Sequence, residues 1–191
     1  MRRIDLGPCA ALLHDGDPAR CAVLLPGMQY STQAPLLWFA RSVALSRGWR
    51  ALEVLDSLPE GEEAFAWARD RARRALDAVA DASDVVVIGK SLASGAAGIV
   101  ADGLLPAVWL TPLLNRRPVV DDLGRAARPA LLVGGSADET WVPDALPDHG
   151  LLEVVHLDGL DHSLERRGDP MASLDALRAV AARIDRFLAA L

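Results

Sequence analysis

The chain has 191 residues, of which 51% are hydrophobic and 24% charged, and a net charge of −6 at pH 7. This balance is typical of a globular protein and excludes a disordered one. The length predicts a single domain over residues 1–191. The negative charge argues against nucleic acid as the main partner. No apolar run is long enough to span a bilayer, so we expect no membrane association.

Neither the amino-terminal residues nor the cysteines indicate an exported protein. Arg2 and Arg3 are followed by polar residues and proline instead of the apolar core of a signal peptide. The two cysteines, Cys9 and Cys21, have neither a metal-ligand nor a disulfide spacing, and we expect buried free thiols. The sequence therefore predicts a cytoplasmic protein and leaves its oligomeric state open.

Short apolar runs alternate with amphipathic segments along the chain. The apolar runs predict strands at 4–13, 21–25, 49–55, 85–88, 107–110, 130–133 and 151–157. The first two flank an Asp-Gly turn and predict an amino-terminal antiparallel hairpin. Between the others, helices are expected from Pro35 to Gly48, from Glu62 and Glu63 to Val79, after Ser91, and over 172–188.

The segments between these elements are expected to be irregular. They comprise a loop over 56–61, a connection over 111–128 and a loop over 134–150 with one helical turn. Because the later strands are almost continuously apolar and alternate with helices, they predict an α/β fold. Its mostly parallel twisted sheet should be covered by helices on both faces.

The stretch 84–98, DVVVIGKSLASGAAG, joins a buried strand to a small-residue helix without a loop. A strand, a sharp turn with serine at its apex and a closely packed helix predict a nucleophile elbow. In such an elbow the turn holds Ser91 in a strained conformation and exposes its hydroxyl at the carboxyl edge of the sheet. The stretch departs from the G-x-S-x-G pattern at Ala93, where the second glycine would stand.

Two other interpretations of this stretch must be weighed. Gly89-Lys90-Ser91 also matches the end of a phosphate-binding P-loop, but that motif requires a glycine where the chain has Asp84 and a loop where it has three valines. A strand cannot form the backbone cradle for phosphates, so the geometry favours the elbow. An ordinary tight strand–helix turn stays open until partners for Ser91 are identified.

A nucleophilic serine requires a base, and the base requires an acid. Of the four histidines, His162 alone follows the carboxyl end of a predicted strand, the edge at which Ser91 should lie. Asp138 follows the preceding strand, after glycines and small residues that allow the loop to turn inward. The competing acids are Glu139, Asp158 and Asp161.

An oxyanion that forms during acyl transfer requires two N–H donors placed in advance. The N–H of Leu92, directly after the serine, is one candidate. The turn after strand 21–25 offers the N–H of Met28, and Gly27 lets the backbone approach a substrate there. Without the other site residues, this Pro-Gly turn would be read as a plain turn.

With these residues in the order Ser91, Asp138, His162, the chain resembles a small protein of the α/β-hydrolase superfamily over nearly its whole length. The resemblance implies an α/β-hydrolase fold, with Ser91 as nucleophile, Asp138 as acid and His162 as base. It places the oxyanion hole at Met28 and Leu92 and implies no metal or organic cofactor. Pro26, where many lipases and esterases have His-Gly, is a further departure.

The connection 111–128 is too short for the lid that this superfamily usually inserts there. We therefore expect no lid domain and an open site for a small-molecule ester or thioester, cleaved through an acyl-enzyme. Candidate substrate contacts are Gly27, Lys90, Arg116 and Trp141. The alternatives are a non-catalytic interaction protein on the same fold and, more distantly, a nucleotide-binding protein.

Overall fold

The computed structural model describes residues 1–56 and 63–191 and is built around one eight-stranded sheet. The strands are β1 (Arg2–Asp5), β2 (Ala10–His14), β3 (Asp17–Leu25), β4 (Trp49–Leu55), β5 (Asp84–Lys90), β6 (Ala107–Leu110), β7 (Ala130–Gly135) and β8 (Leu152–Leu157). Their order across the sheet is β1-β2-β4-β3-β5-β6-β7-β8. All pairs from β4 to β8 are parallel, which confirms the predicted mostly parallel sheet.

Helices cover both faces of the sheet. They are α1 (Pro35–Ser46), α2 (Ala64–Asp77), α3 (Ala97–Asp102), α4 (Arg117–Leu123) and α5 (Pro170–Ala189), with short 3-10 turns at Ser91–Ala96 and Pro143–Ala145. Alternate residues of β5 face opposite layers: Val86 lies in the apolar cluster under α1 and α5, and Val87 in the cluster under the other three helices. This two-sided burial explains why the central strands are continuously apolar.

The amino-terminal hairpin is present, but its strands are not the predicted pair. The predicted strand 4–13 is broken by a turn at Gly7, whose φ of +87° suits glycine, and β1 pairs with β2 on its two sides. Strand β3 does not pair with β2. Instead β4 lies between them, antiparallel to β2 and parallel to β3. The Asp-Gly turn therefore leads into a strand two positions away, because burial of β3 at the sheet centre outweighs the local turn signal.

The connections also differ in part from the expectation. Helix α4 lies within 111–128, a segment predicted to be irregular, and begins with Arg117 followed by a proline, as helix starts often do. Helix α2 is capped by Glu63, whose carboxylate accepts hydrogen bonds from the N–H groups of Phe65 and Ala66. Glu62 and all but the first residue of the predicted loop over 56–61 lie outside the described residues.

Two features bear on the environment of the chain. Both cysteines, Cys9 and Cys21, are buried free thiols in the structure. None of the helices in residues 1–56 and 63–191 has the length and apolar content that crossing a membrane requires.

Candidate active site

Ser91 lies at the apex of the turn that joins β5 to the following 3-10 turn. Its φ is +52°, in the left-handed region that a non-glycine residue rarely adopts. The turn depends on small neighbours: a Cβ added to Gly89 would lie 2.6 Å from the Trp109 ring and 2.9 Å from the Cβ of Ala93. Ala93 therefore fits where the second glycine of the pattern would stand, and the elbow geometry predicted from the sequence is present.

His162 reaches Ser91 from the loop after β8. Its Nε2 lies 2.7 Å from the Ser91 Oγ. The loop is fixed by Asp161, whose carboxylate accepts hydrogen bonds from the N–H groups of Ser163 at 2.8 Å and Glu165 at 3.1 Å. The Asp161 carboxylate is thus used to shape the loop that carries the imidazole, and this geometry makes it a poor acid partner for the ring.

Asp138 completes the chain of contacts from the loop after β7. Its Oδ2 lies 2.7 Å from the His162 Nδ1, and its side chain is 2% exposed. Burial on its own would raise the pKa of Asp138, but hydrogen bonds from His162 and Thr140 hold it below its usual value. Because an ionised carboxylate only accepts, Nδ1 carries the ring proton and Nε2 is free to accept from the Ser91 hydroxyl.

The other acids weighed from the sequence are placed differently. Glu139, next to Asp138, is exposed. Asp158 accepts a hydrogen bond from the Ser136 hydroxyl at 2.9 Å. Among the four candidates, Asp138 is therefore the one that the structure places against the imidazole.

Thr140 is a member of this cluster that the sequence analysis missed. Its N–H and its hydroxyl both donate to the Asp138 Oδ1 at 2.8 Å, and the hydroxyl oxygen lies 3.2 Å from the His162 Nδ1. The signal was the Asp-x-Thr spacing, since an Asp side chain often accepts from the backbone N–H two residues later. These two bonds fix the carboxylate so that its other oxygen faces the imidazole.

A cavity of about 490 Å³ opens beside Ser91 and His162. Both predicted oxyanion residues, Met28 and Leu92, line it. Leu92 is the second residue of a 3-10 turn, so its N–H has no partner within that turn. Backbone hydrogen bonds between Gly27 and Tyr30 on either side of Met28 hold the other turn in place.

Of the four predicted substrate contacts, only one lines the cavity in the described part of the chain. Arg116 lines the cavity, as do the apolar side chains of Phe65 and Leu113, which the sequence analysis did not select. Lys90 and Trp141 do not line the cavity. Lys90 is 1% exposed, with its ammonium bonded inside the protein.

Neither Trp141 nor Gly27 is among the described residues that line the cavity. The indole of Trp141 donates to the His156 Nδ1 at 2.9 Å, and its ring occupies the space next to Gly134. Gly27 is bridged to Tyr30 through its N–H and its carbonyl oxygen and so supports the Met28 turn. It lies next to the nucleophile, since a Cβ added to it would be 3.4 Å from the Ser91 Cβ.

Comparison with known proteins identifies the fold of the chain. No protein-family model matches the sequence, and no curated protein matches it either. Among solved structures, Est1E from Butyrivibrio proteoclasticus, determined with ferulic acid bound, has a TM-score of 0.74 at 13% identity, with 98% of each chain covered.

Two further structures are similar over nearly their whole length. A lidless α/β serine hydrolase from Xanthomonas campestris has a TM-score of 0.70 at 15% identity, covering 97% of this chain and 94% of that one. Dienelactone hydrolase from Anabaena variabilis has a TM-score of 0.72 at 18% identity, with the same two coverages. Between β6 and β7 the chain has only a short connection with α4 and no lid domain. The chain therefore has the α/β-hydrolase fold, in a lidless form.

Proposed function

We propose that this protein is a serine hydrolase that cleaves a carboxylic ester or thioester through an acyl-enzyme. The observation that supports this most is the continuous contact from Ser91 through His162 to Asp138, with 2.7 Å at each step. The serine sits on a strained turn beside a cavity, and strain of this kind is found preferentially at functional sites. A serine in an ordinary turn has no need of these two partners.

The proposed reaction follows from the protonation states. As the Ser91 Oγ attacks the acyl carbon, its proton passes to the His162 Nε2, and the ionised Asp138 stabilises the resulting imidazolium. The oxyanion of the tetrahedral intermediate accepts hydrogen bonds from the N–H groups of Met28 and Leu92. The imidazolium then protonates the departing alcohol or thiol, and a water molecule activated by the same imidazole releases the acid from Ser91.

The cavity supports a small or accessible acyl substrate. Within residues 1–56 and 63–191 the cavity is open to solvent and no lid domain covers it, and Phe65 and Leu113 form its apolar wall. A long acyl chain would need a deeper enclosure to bury its methylenes. The bound ferulic acid of Est1E and the lactone in the name of the Anabaena enzyme belong to those proteins. They support the class of carboxylic esters as the first substrates to test.

Labelling with a fluorophosphonate tests the proposal directly. We expect the native protein to be labelled at Ser91 and the Ser91→Ala variant to show no label, as measured by intact mass and by peptide mapping. Ser94 provides the matched control, because it is buried and does not line the cavity. The Ser94→Ala variant should keep the label. A folded native protein that takes no label would favour the interaction-protein alternative.

Arg116 is proposed to bind an anionic group of the substrate. Its exposed side chain lines the cavity, whereas the neighbouring Arg117 pairs with Asp121 at 2.8 Å and is not part of the lining. We expect Arg116→Ala to lower kcat/KM for a hemisuccinate ester about 5-fold, with less than about 2-fold change for the neutral acetate, as for a partly solvated charge pair.

The matched variant Arg117→Ala should leave both esters within about 2-fold of the native protein, because a solvated pair contributes little. Equal losses on the charged and the neutral ester would contradict the role of Arg116 in charge recognition.

A further inference from the structure

Lys90 links the ends of several strands around the proposed active site. It is the only lysine of the chain and is 1% exposed. Its ammonium donates to the Thr111 Oγ1 at 2.5 Å and to the main-chain oxygen of His162 at 2.8 Å. It also lies 4.9 Å from the centre of the Tyr30 ring. One side chain on β5 thus contacts the segments that follow β3, β6 and β8.

Burial of the Lys90 ammonium lowers the stability of the folded state. Removing an ammonium from water is compensated best by an opposite charge in direct contact. Yet the salt bridges formed within residues 1–56 and 63–191 include none from Lys90, and its hydrogen-bond acceptors are two neutral oxygens. Burial lowers the pKa of Lys90 to about 8, and the carboxylates of Asp138 and Asp161 offset part of that shift. A methionine would fill the same space without this cost.

Thr111, which accepts a hydrogen bond from Lys90, has a strained backbone conformation. It is fully buried, and its φ is +44°, a region that a β-branched residue almost never adopts. Such backbone strain persists only when the surroundings determine it, and it clusters at functional sites. Here the strained residue follows β6 and supplies the hydroxyl that accepts from Lys90.

We propose, on the basis of the proposed function, that Lys90 is a positioning residue: it holds the main chain of His162 against the elbow and so keeps the imidazole over Ser91. Lys90 directly precedes the nucleophile and bonds the backbone of the base, so one residue sets the distance between them. The ammonium does not line the cavity, so its effect on the reaction passes through the segment that carries His162. Proton transfer requires the 2.7 Å approach of Nε2 to Oγ, and a displacement of about 1 Å can cost about 10²-fold in rate.

Replacement of Lys90 by methionine separates this role from substrate binding. Methionine keeps the length and the apolar stem but donates no hydrogen bond. We expect Lys90→Met to lower kcat for p-nitrophenyl acetate about 30- to 100-fold and to change KM less than about 3-fold. In a His162→Ala background, Lys90→Met should cause no further loss, because its effect passes through the imidazole. A full additional loss in that background would overturn the proposal.

Proton NMR tests the role of Lys90 without an activity measurement. The proton on the His162 Nδ1, bonded to Asp138, should give a far-downfield resonance in the native protein. We expect this resonance to broaden or disappear in Lys90→Met, since an imidazole with a released backbone exchanges its proton with water. An unchanged resonance in folded Lys90→Met would overturn the positioning role. If the native protein fails to label with fluorophosphonate, the proposed hydrolysis fails, whereas this resonance still decides the role of Lys90.

A second variant covers the case in which Lys90→Met does not fold. Thr111→Val keeps the shape and the β-branch but removes one of the two acceptors of Lys90, and we expect kcat to fall about 10-fold together with broadening of the same resonance. Thr32 is the matched control: it is 1% exposed, and its hydroxyl has no hydrogen-bond partner in the described part of the chain. Thr32→Val should change kcat less than about 2-fold. Equal effects of the two variants would overturn the proposal.

Discussion

Replacement of His162 by alanine is expected to lower kcat for an activated ester by about 10⁵- to 10⁶-fold, with little change in KM. In the described part of the chain, the imidazole is the one group within hydrogen-bonding distance of the Ser91 Oγ that can accept its proton, at 2.7 Å. Without it the hydroxyl stays protonated and attacks slowly. Steady-state hydrolysis of p-nitrophenyl acetate, with the Ser91→Ala variant as the baseline, measures the loss.

The double variant provides the sharper form of this experiment. Because serine and base act as a unit, Ser91→Ala with His162→Ala should be no slower than either single variant. His149, in the loop before β8, is a matched control. Its ring accepts a hydrogen bond from the N–H of Leu151, and His149→Ala should stay within about 2-fold of the native protein. Retention of native kcat by His162→Ala would contradict the proposed mechanism.

The second large effect is expected at Asp138. We predict that Asp138→Asn lowers kcat about 10³- to 10⁴-fold while the fold is retained. The carboxylate accepts the Nδ1 proton at 2.7 Å and is itself fixed by two hydrogen bonds from Thr140. An asparagine amide can direct an N–H group at Nδ1, which favours the tautomer in which Nε2 carries the proton and cannot accept from Ser91. kcat and the thermal transition, measured on the same preparation, separate this effect from loss of structure.

Glu139→Gln is the matched control for this prediction. The side chain of Glu139 is adjacent in sequence and carries the same charge, but it is exposed. We expect less than about 2-fold change in kcat. If Glu139→Gln greatly lowered kcat while Asp138→Asn kept native activity, Glu139 and not Asp138 would be the acid.

The strands that the sequence predicted best are those whose signal is local. The structure has β4 and β6 at the predicted residues 49–55 and 107–110, because a short, continuously apolar run is recognisable without its neighbours. The hairpin was assigned to the wrong strands, since the partner of β3 is chosen by burial at the sheet centre and not by the turn that precedes it. Helix α4 was missed because it has only seven residues, too few for the spacing of Val119, Val120 and Leu123 to establish a helical period.

The sequence by itself determined the elbow, the order of the three proposed catalytic residues and the edge of the sheet at which they lie. These follow from residue types at strand ends, and the carboxyl ends of parallel strands share one edge. Only the tertiary structure decided which way each side chain points. It turned Lys90 into the interior and Trp141 away from the cavity, and it brought Thr140 against Asp138. The physical reason is that side-chain direction and contacts depend on packing between segments far apart in the chain, which no local pattern records.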